Sequence, residues 1–304
     1  MLREYAVEPE CLKDWQNFRY LIENFGVSQG RLISRFPSSW MRMTYDACNG
    51  FTFQQRKKLE YELERIKKSG MIKSQRDYDV AEPWIRNALI QQERGKPFYA
   101  ILTSSPFPLN CRVLVADQIT AENPLWKVSR QDDCPRTPEA LGNATEKFLQ
   151  ISDRIIFVDK MFAPLNSRWQ KLLVHLIKLA TVGRTNPPEF EYHTQFNSKE
   201  NQSPQDFSDE CFRSLSPLLY KDISLKVVRW DRHPDGNFFH ARSILSDKGG
   251  IDIDWGLDVG KKGQTTRITL MDDDVWERNW NSFQPGSEEF EYIDTVIIHG
   301  SRQG

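Results

Sequence analysis

Long apolar runs are missing from this sequence. Nowhere do about 18 apolar residues follow one another, the length that a membrane-spanning helix needs, and residues 1–5 open without the apolar core of a signal peptide, so a cytosolic protein without a membrane span is expected. Cysteine is scarce: five residues, at positions 11, 48, 111, 134 and 211, are odd in number and never form a C-x-x-C pair. That usage argues against a disulfide framework and against a zinc site, and leaves reduced, structural thiols as the expectation. There is no Walker A loop and no G-x-G-x-x-G, and no cofactor or metal is expected.

What is present points to a packed core. Of the 304 residues 39% are apolar and 12% aromatic, nine of them Trp, despite a mean hydropathy of −0.61. The formal net charge of −1 hides an asymmetry, because residues 31–76 hold eleven basic and four acidic side chains, a local net charge of +7. The remainder therefore carries about −8, so a polyanion would be drawn to one part of the molecule. Within that segment Arg56, Lys57, Lys58, Lys67, Lys68 and Lys73 are the candidate nucleic-acid contacts, against the plainer alternative of a solvated helix face with i,i+4 pairs.

Periodicity divides the chain in two. Residues 1–80 read as a small all-helical, basic domain, with helices over 12–25, around Trp40 to Tyr45 and over 53–69, and with a helix-turn-helix arrangement as one option. Residues 84–304 read as an α/β domain with a mixed sheet and helices on both faces. Its expected strands lie at 98–102, 112–116, 154–158, 190–196, 223–228, 238–245, 250–255, 265–270 and 292–298, and its expected helices at 84–93, 137–150, 167–180, a segment ending near 220, and 275–283. The polar stretch 117–138 reads as a surface excursion. Gly26-Val27-Ser28-Gln29-Gly30 fits G-x-S-x-G, but a helix precedes it where a nucleophile elbow needs a strand, so a helix stop followed by a helix cap at Ser28 is expected.

One motif carries chemistry. His240, Arg242 and Asp247 have the spacing H-x-[basic]-x4-D, followed by Gly249-Gly250 and then Trp255-Gly256-Leu257-Asp258. On a strand, positions 240 and 242 share a face, so an imidazole and a cation converge on one phosphate. This pattern resembles the H-x-K-x4-D signature of the phospholipase D superfamily. It is most similar to the phospholipase D-like domain found behind MIT domains in membrane-trafficking proteins and to bacterial relatives associated with phage defence. The motif-level resemblance covers roughly residues 231–280, and strand order extends it back towards 84.

The resemblance implies a metal-independent phosphodiesterase, and the polyanion argument makes that a nuclease, set in anti-phage defence. His240 would be nucleophile or general acid, Arg242 the phosphate clamp and Asp247 a supporting carboxylate. The signature has Lys where this chain has Arg242, and there is one copy of the motif where the chemistry uses two histidines. A homodimer would supply the second, as would a place in a multi-protein complex; within one chain His193, on the strand at 190–196, is the candidate. The competing expectation is an inactive recognition module that binds a protein partner or a phosphate-bearing ligand, since the eukaryotic branch is regarded as non-catalytic. The plainer alternative for the motif is a half-buried strand histidine at position 240 with Arg242 paired to a nearby carboxylate such as Asp254 or Asp258. Lipid hydrolysis has less behind it, because the chain shows no long cationic amphipathic segment.

Overall fold

The computed structural model describes residues 1–106, 112–196, 203–233, 239 and 241–303. The chain divides into two compact units, Met1–Arg130 and Gln131–Gly304, and both are α/β.

The first unit runs β1 (Arg3–Val7), α1 (Trp15–Glu23), β2 (Arg31–Arg35), α2 (Trp40–Ala47), α3 (Phe53–Ser69), β3 (Met71–Lys73), α4 (Trp84–Glu93), β4 (Ala100–Thr103) and β5 (Val113–Val115). The strands form a parallel sheet in the order β3-β2-β1-β4-β5. Successive residues of β1 point to opposite faces, and both faces are covered. Tyr5 and Val7 pack with Phe18 of α1, Trp40 of α2 and Leu59 and Leu63 of α3, while Ala6 packs with Trp84 and Ala88 of α4.

The helices expected within residues 1–80 are there, α3 with the bounds expected, but they are not a domain of their own. Strands β1, β2 and β3 run between them, and α4, β4 and β5 complete the same sheet, so the break falls after Arg130 and not near residue 80. Gly26, at φ +145°, starts a turn that leads into β2, so Ser28 caps no helix. These strands escape a pattern reading for a physical reason. Each is short and holds charged residues, yet in β1 and β2 one of those charges is buried and matched: Glu4 with Arg76 at 2.5 Å, and Arg31 with the carbonyl of Trp126.

The second unit runs β6 (Gln131–Pro135), α5 (Pro138–Ile151), β7 (Arg154–Asp159), α6 (Ser167–Thr181), β8 (Glu189–Gln195), α7 (Pro204–Leu215), β9 (Ser224–Asp231), β10 (Arg242–Ser246), β11 (Gly249–Ile253), β12 (Thr265–Leu270), α8 (Asp273–Ser282) and β13 (Glu291–His299). Its eight strands form a mixed sheet in the order β13-β9-β8-β7-β10-β11-β12-β6, parallel from β7 to β9 and antiparallel elsewhere. The polar stretch expected to be a pure excursion ends in β6, whose Pro135 is tolerated because β6 is an edge strand. Ile156, Val158 and Leu245 face α8, packing with Val275, Trp276 and Trp280. The alternate residues Phe157 and Asp159 face α6, whose Trp169 indole donates to Asp159 Oδ2 at 3.3 Å. Helices thus cover both faces.

Candidate functional site

Of the motif, Arg242 and Asp247 lie at opposite ends of β10, Arg242 beside the carboxyl end of β7 and Asp247 beside its start. His240 lies outside the described residues. Arg242 opens β10 and sits in register opposite Asp159, the last residue of β7, on the face shared with Phe157 and Ile244. Its Nη1 donates to the carbonyl of Asp254 at 2.9 Å, and its Nε lies 4.0 Å from Asp159 Oδ1. The side chain is 29% exposed, so its charge is turned mainly onto the protein.

Asp159 is the hub. It is 1% exposed; Oδ1 accepts from the amide of Met161 at 2.9 Å, and Oδ2 accepts from the amide of Leu257 at 2.7 Å besides the Trp169 indole. The Leu257 bond holds the turn after β11 against β7. Gly256 is required in that turn, because its φ is +103° and a Cβ would stand 2.6 Å from Asp159 Oδ2. Two residues on, buried Asp258 is gripped by the guanidiniums of Arg136 and Arg168, and Arg168 Nε also donates to the carbonyl of Val259 at 2.7 Å. The Tyr192 hydroxyl is buried with no hydrogen-bond partner among the described residues. Burial first, and then the negative Asp159 and Asp258, push its pKa well above the ordinary phenol range.

Asp247 lies past the opposite end of β10. It accepts from the amides of Asp153 at 2.9 Å and Arg154 at 3.2 Å and pairs with Lys248 at 2.8 Å. These bonds tie the β10–β11 hairpin to the start of β7.

His193 is not at a cleft. It is 1% exposed, on the α8 face of the sheet, and stacks at 5.7 Å on Trp230. The Trp230 indole donates to Nδ1 at 2.9 Å; an indole N–H can only donate, so Nδ1 is unprotonated and Nε2–H donates to Glu191 Oε2 at 2.9 Å. Burial lowers the His193 pKa despite the Glu191 carboxylate. Burial would raise Glu191, but the His193 hydrogen bond and the charge of Arg154 outweigh it and bring Glu191 down to about 2. Both ring nitrogens are committed inside the protein, which corrects the expectation that His193 could serve as a second catalytic group.

The nucleic-acid candidates lie in the first unit, all exposed. Arg56, Lys57, Lys58, Lys67 and Lys68 are on α3, and Lys73 ends β3. Lys58 pairs with Glu62 at 2.6 Å and Lys67 with Glu64 at 3.2 Å, and Arg56 donates to the carbonyls of Phe51 and Asn49. Not all of the +7 is on the surface, since Arg31 is buried and Arg76 is spent on Glu4. Phe53 and Tyr61 share this helix, 73% and 66% exposed, with Lys57 Nζ 4.9 Å from the Phe53 ring centroid and Lys58 Nζ 5.2 Å from that of Tyr61. Their outward position was readable from helical spacing, since they avoid the stripe of Leu59, Leu63 and Ile66. The link from Arg136 to Asp258, two residues far apart in the sequence, had no local signal.

Among the described residues no three His, Cys, Asp or Glu side chains gather as a metal site would require, and no helix is long and apolar enough to cross a membrane. Cys11, Cys48, Cys134 and Cys211 are buried and unpaired, and burial pushes the Cys48 and Cys211 thiols up to about 12.

No family model matches the chain, and no curated protein does. Among solved structures, the chain is similar to TrmBL2, an archaeal chromatin protein whose structure is described as showing a novel mode of DNA binding. The match has 14% identity and a TM-score of 0.30, and covers 82% of this chain and 71% of that one. A score of that size does not establish a shared fold.

Proposed function

We propose that this chain is a recognition protein that binds a phosphate-bearing polymer, nucleic acid, and that its phospholipase D-like motif positions structure and does not cleave. The observation that carries this reading is the engagement of Arg242. A phosphate clamp has to turn its charge to its ligand, whereas here one of the five guanidinium donors goes to the Asp254 carbonyl and the buried Asp159 carboxylate, a fixed anion beside the charge, competes with an incoming phosphate. The commitment of both His193 nitrogens points the same way, because the two-histidine mechanism then lacks a second imidazole from that position. The exposed cations of α3 supply the electrostatic contact that nucleic acid needs.

The motif spacing favours a second reading, a metal-independent nuclease in a defence setting, active as a homodimer that brings two copies of His240 together. One experiment separates the two. Purified protein is incubated with end-labelled DNA and RNA in excess EDTA, wild type beside His240→Ala, with molar mass measured by light scattering. Binding without strand scission in both proteins is expected. Scission by a wild-type dimer that His240→Ala abolishes would establish the nuclease.

A further inference from the structure

The outward face of α3 is interleaved, not merely basic. Phe53, Lys57, Tyr61 and Lys68 recur at offsets of 4, 8 and 15 residues, which places them along one side of the helix, opposite the buried stripe of Leu59, Glu62, Leu63 and Ile66. Lys57 and Lys68 are exposed, as are the two rings. Of the carboxylates nearby, Glu62 is buried and paired with Lys58 and Arg65, while Glu60 and Glu64 share the exposed face, Glu64 paired there with Lys67. Two large rings in water are an unfavourable exposure of apolar area, and nothing in their own unit covers them.

From this interleaving we infer that the α3 face is a stacking platform selective for single-stranded nucleic acid. The rings of Phe53 and Tyr61 take unpaired bases, while Lys57 between them and Lys68 beyond Tyr61 take the backbone phosphates. Charge and chemistry choose this occupant. A duplex hides its base faces inside its own stack, so on it the two rings would meet only sugar and phosphate. A single strand offers π-faces that match the rings and phosphates that match the lysines. The two aromatic positions are eight residues apart, about 12 Å along the helix axis, which leaves room for a strand to lay separate bases on each. The inference rests on the nucleic-acid reading above and makes it specific.

Fluorescence anisotropy of labelled single-stranded DNA and RNA and of the matching duplex tests it, with wild type, Phe53→Ala/Tyr61→Ala and Lys57→Ala/Lys68→Ala. All four substitutions are at exposed positions, and circular dichroism verifies that the helix is kept. The expected result is tighter binding of single strands than of duplex, a loss of about tenfold or more for single strands in the aromatic variant with an unchanged salt slope, and a slope flatter by about 1.4 in the lysine variant. Equal affinity for duplex and single strand, unmoved by Phe53→Ala/Tyr61→Ala, would overturn the stacking inference and leave a plain electrostatic surface. Failure of wild type to bind any nucleic acid would overturn the nucleic-acid reading itself, and with it the platform, leaving the rings to a protein partner.

Discussion

The two units bury charge in different ways. In the first, backbone carbonyls take a large share of the guanidinium donors: Arg31 donates to Trp126, Asn24 and Gln29 and lies 4.5 Å from the Trp126 ring, and Arg65 donates to Ile22 and Phe25 besides pairing with Glu62. In the second they are matched by carboxylates, Arg136 by Asp258, Arg154 by Glu191 and Arg229 by Asp294, with His193 joined to the Glu191 network. Carbonyls do not titrate, whereas carboxylates and imidazoles do. The first unit has such pairs too, Glu4 with Arg76 and Glu62 with Arg65, but the second holds more of them and adds a buried imidazole, so the tie between folding and pH is stronger there.

The largest expected effect comes from breaking one such pair. Asp258→Ala leaves Arg136 buried and unmatched and should destabilise the second unit by about 3–5 kcal/mol; urea unfolding measures it, and a loss below about 1 kcal/mol would erase the distinction between the units. Gly256→Ala forces a Cβ against Asp159 at a left-handed backbone position, with an expected loss of about 2 kcal/mol in thermal unfolding. Arg31→Met keeps bulk in the first unit but orphans the Trp126 carbonyl, and should cost about 1.5 kcal/mol, less than the loss of Asp258.

Acidification sharpens the comparison without mutation. Folded His193 has a pKa below the ordinary value of about 6.5, so below that pH the unfolded chain takes up a proton that the folded chain refuses, and stability falls as pH falls. Glu191, held at about 2, adds a second loss as pH drops from about 4.3 towards that value. Hydrogen exchange, corrected for intrinsic rates, should show β8 and β9 losing protection between pH 7 and pH 5 while β1 and β2 keep theirs. Smallest of all, Lys57→Ala/Lys68→Ala should shift stability by no more than about 0.5 kcal/mol, because both side chains are exposed.

Much of the second unit was legible because its strands are continuous apolar runs. Ile155 to Val158 announces β7, and the helical stripe of Leu172, Leu173 and Leu176 announces α6. The first unit was legible in its helices and in β4 and β5, expected at 98–102 and 112–116, but not in β1, β2 or β3. Glu4 in β1 and the two arginines that bound β2 look like surface chemistry, and nothing local says that Glu4 meets Arg76 or that Arg31 lies under Trp126. The same blindness applied to the motif. A carboxylate partner for Arg242 was foreseeable among the acids near it in sequence, but Asp159 reaches it only through the pairing of β7 with β10, while Asp254 contributes its carbonyl. His193 on a strand end promised a cleft, and Trp230 and Glu191, brought to it by sheet register and alternation, closed it.

The central claim, recognition without cleavage, is met most directly by measuring binding and strand integrity in the same sample. Labelled single-stranded DNA and RNA are mixed with wild-type protein in excess EDTA, the bound fraction is read by anisotropy, and the recovered strand is run on a denaturing gel. The account predicts a bound and intact strand. A bound strand that is cut by wild type and left whole by His240→Ala would contradict it.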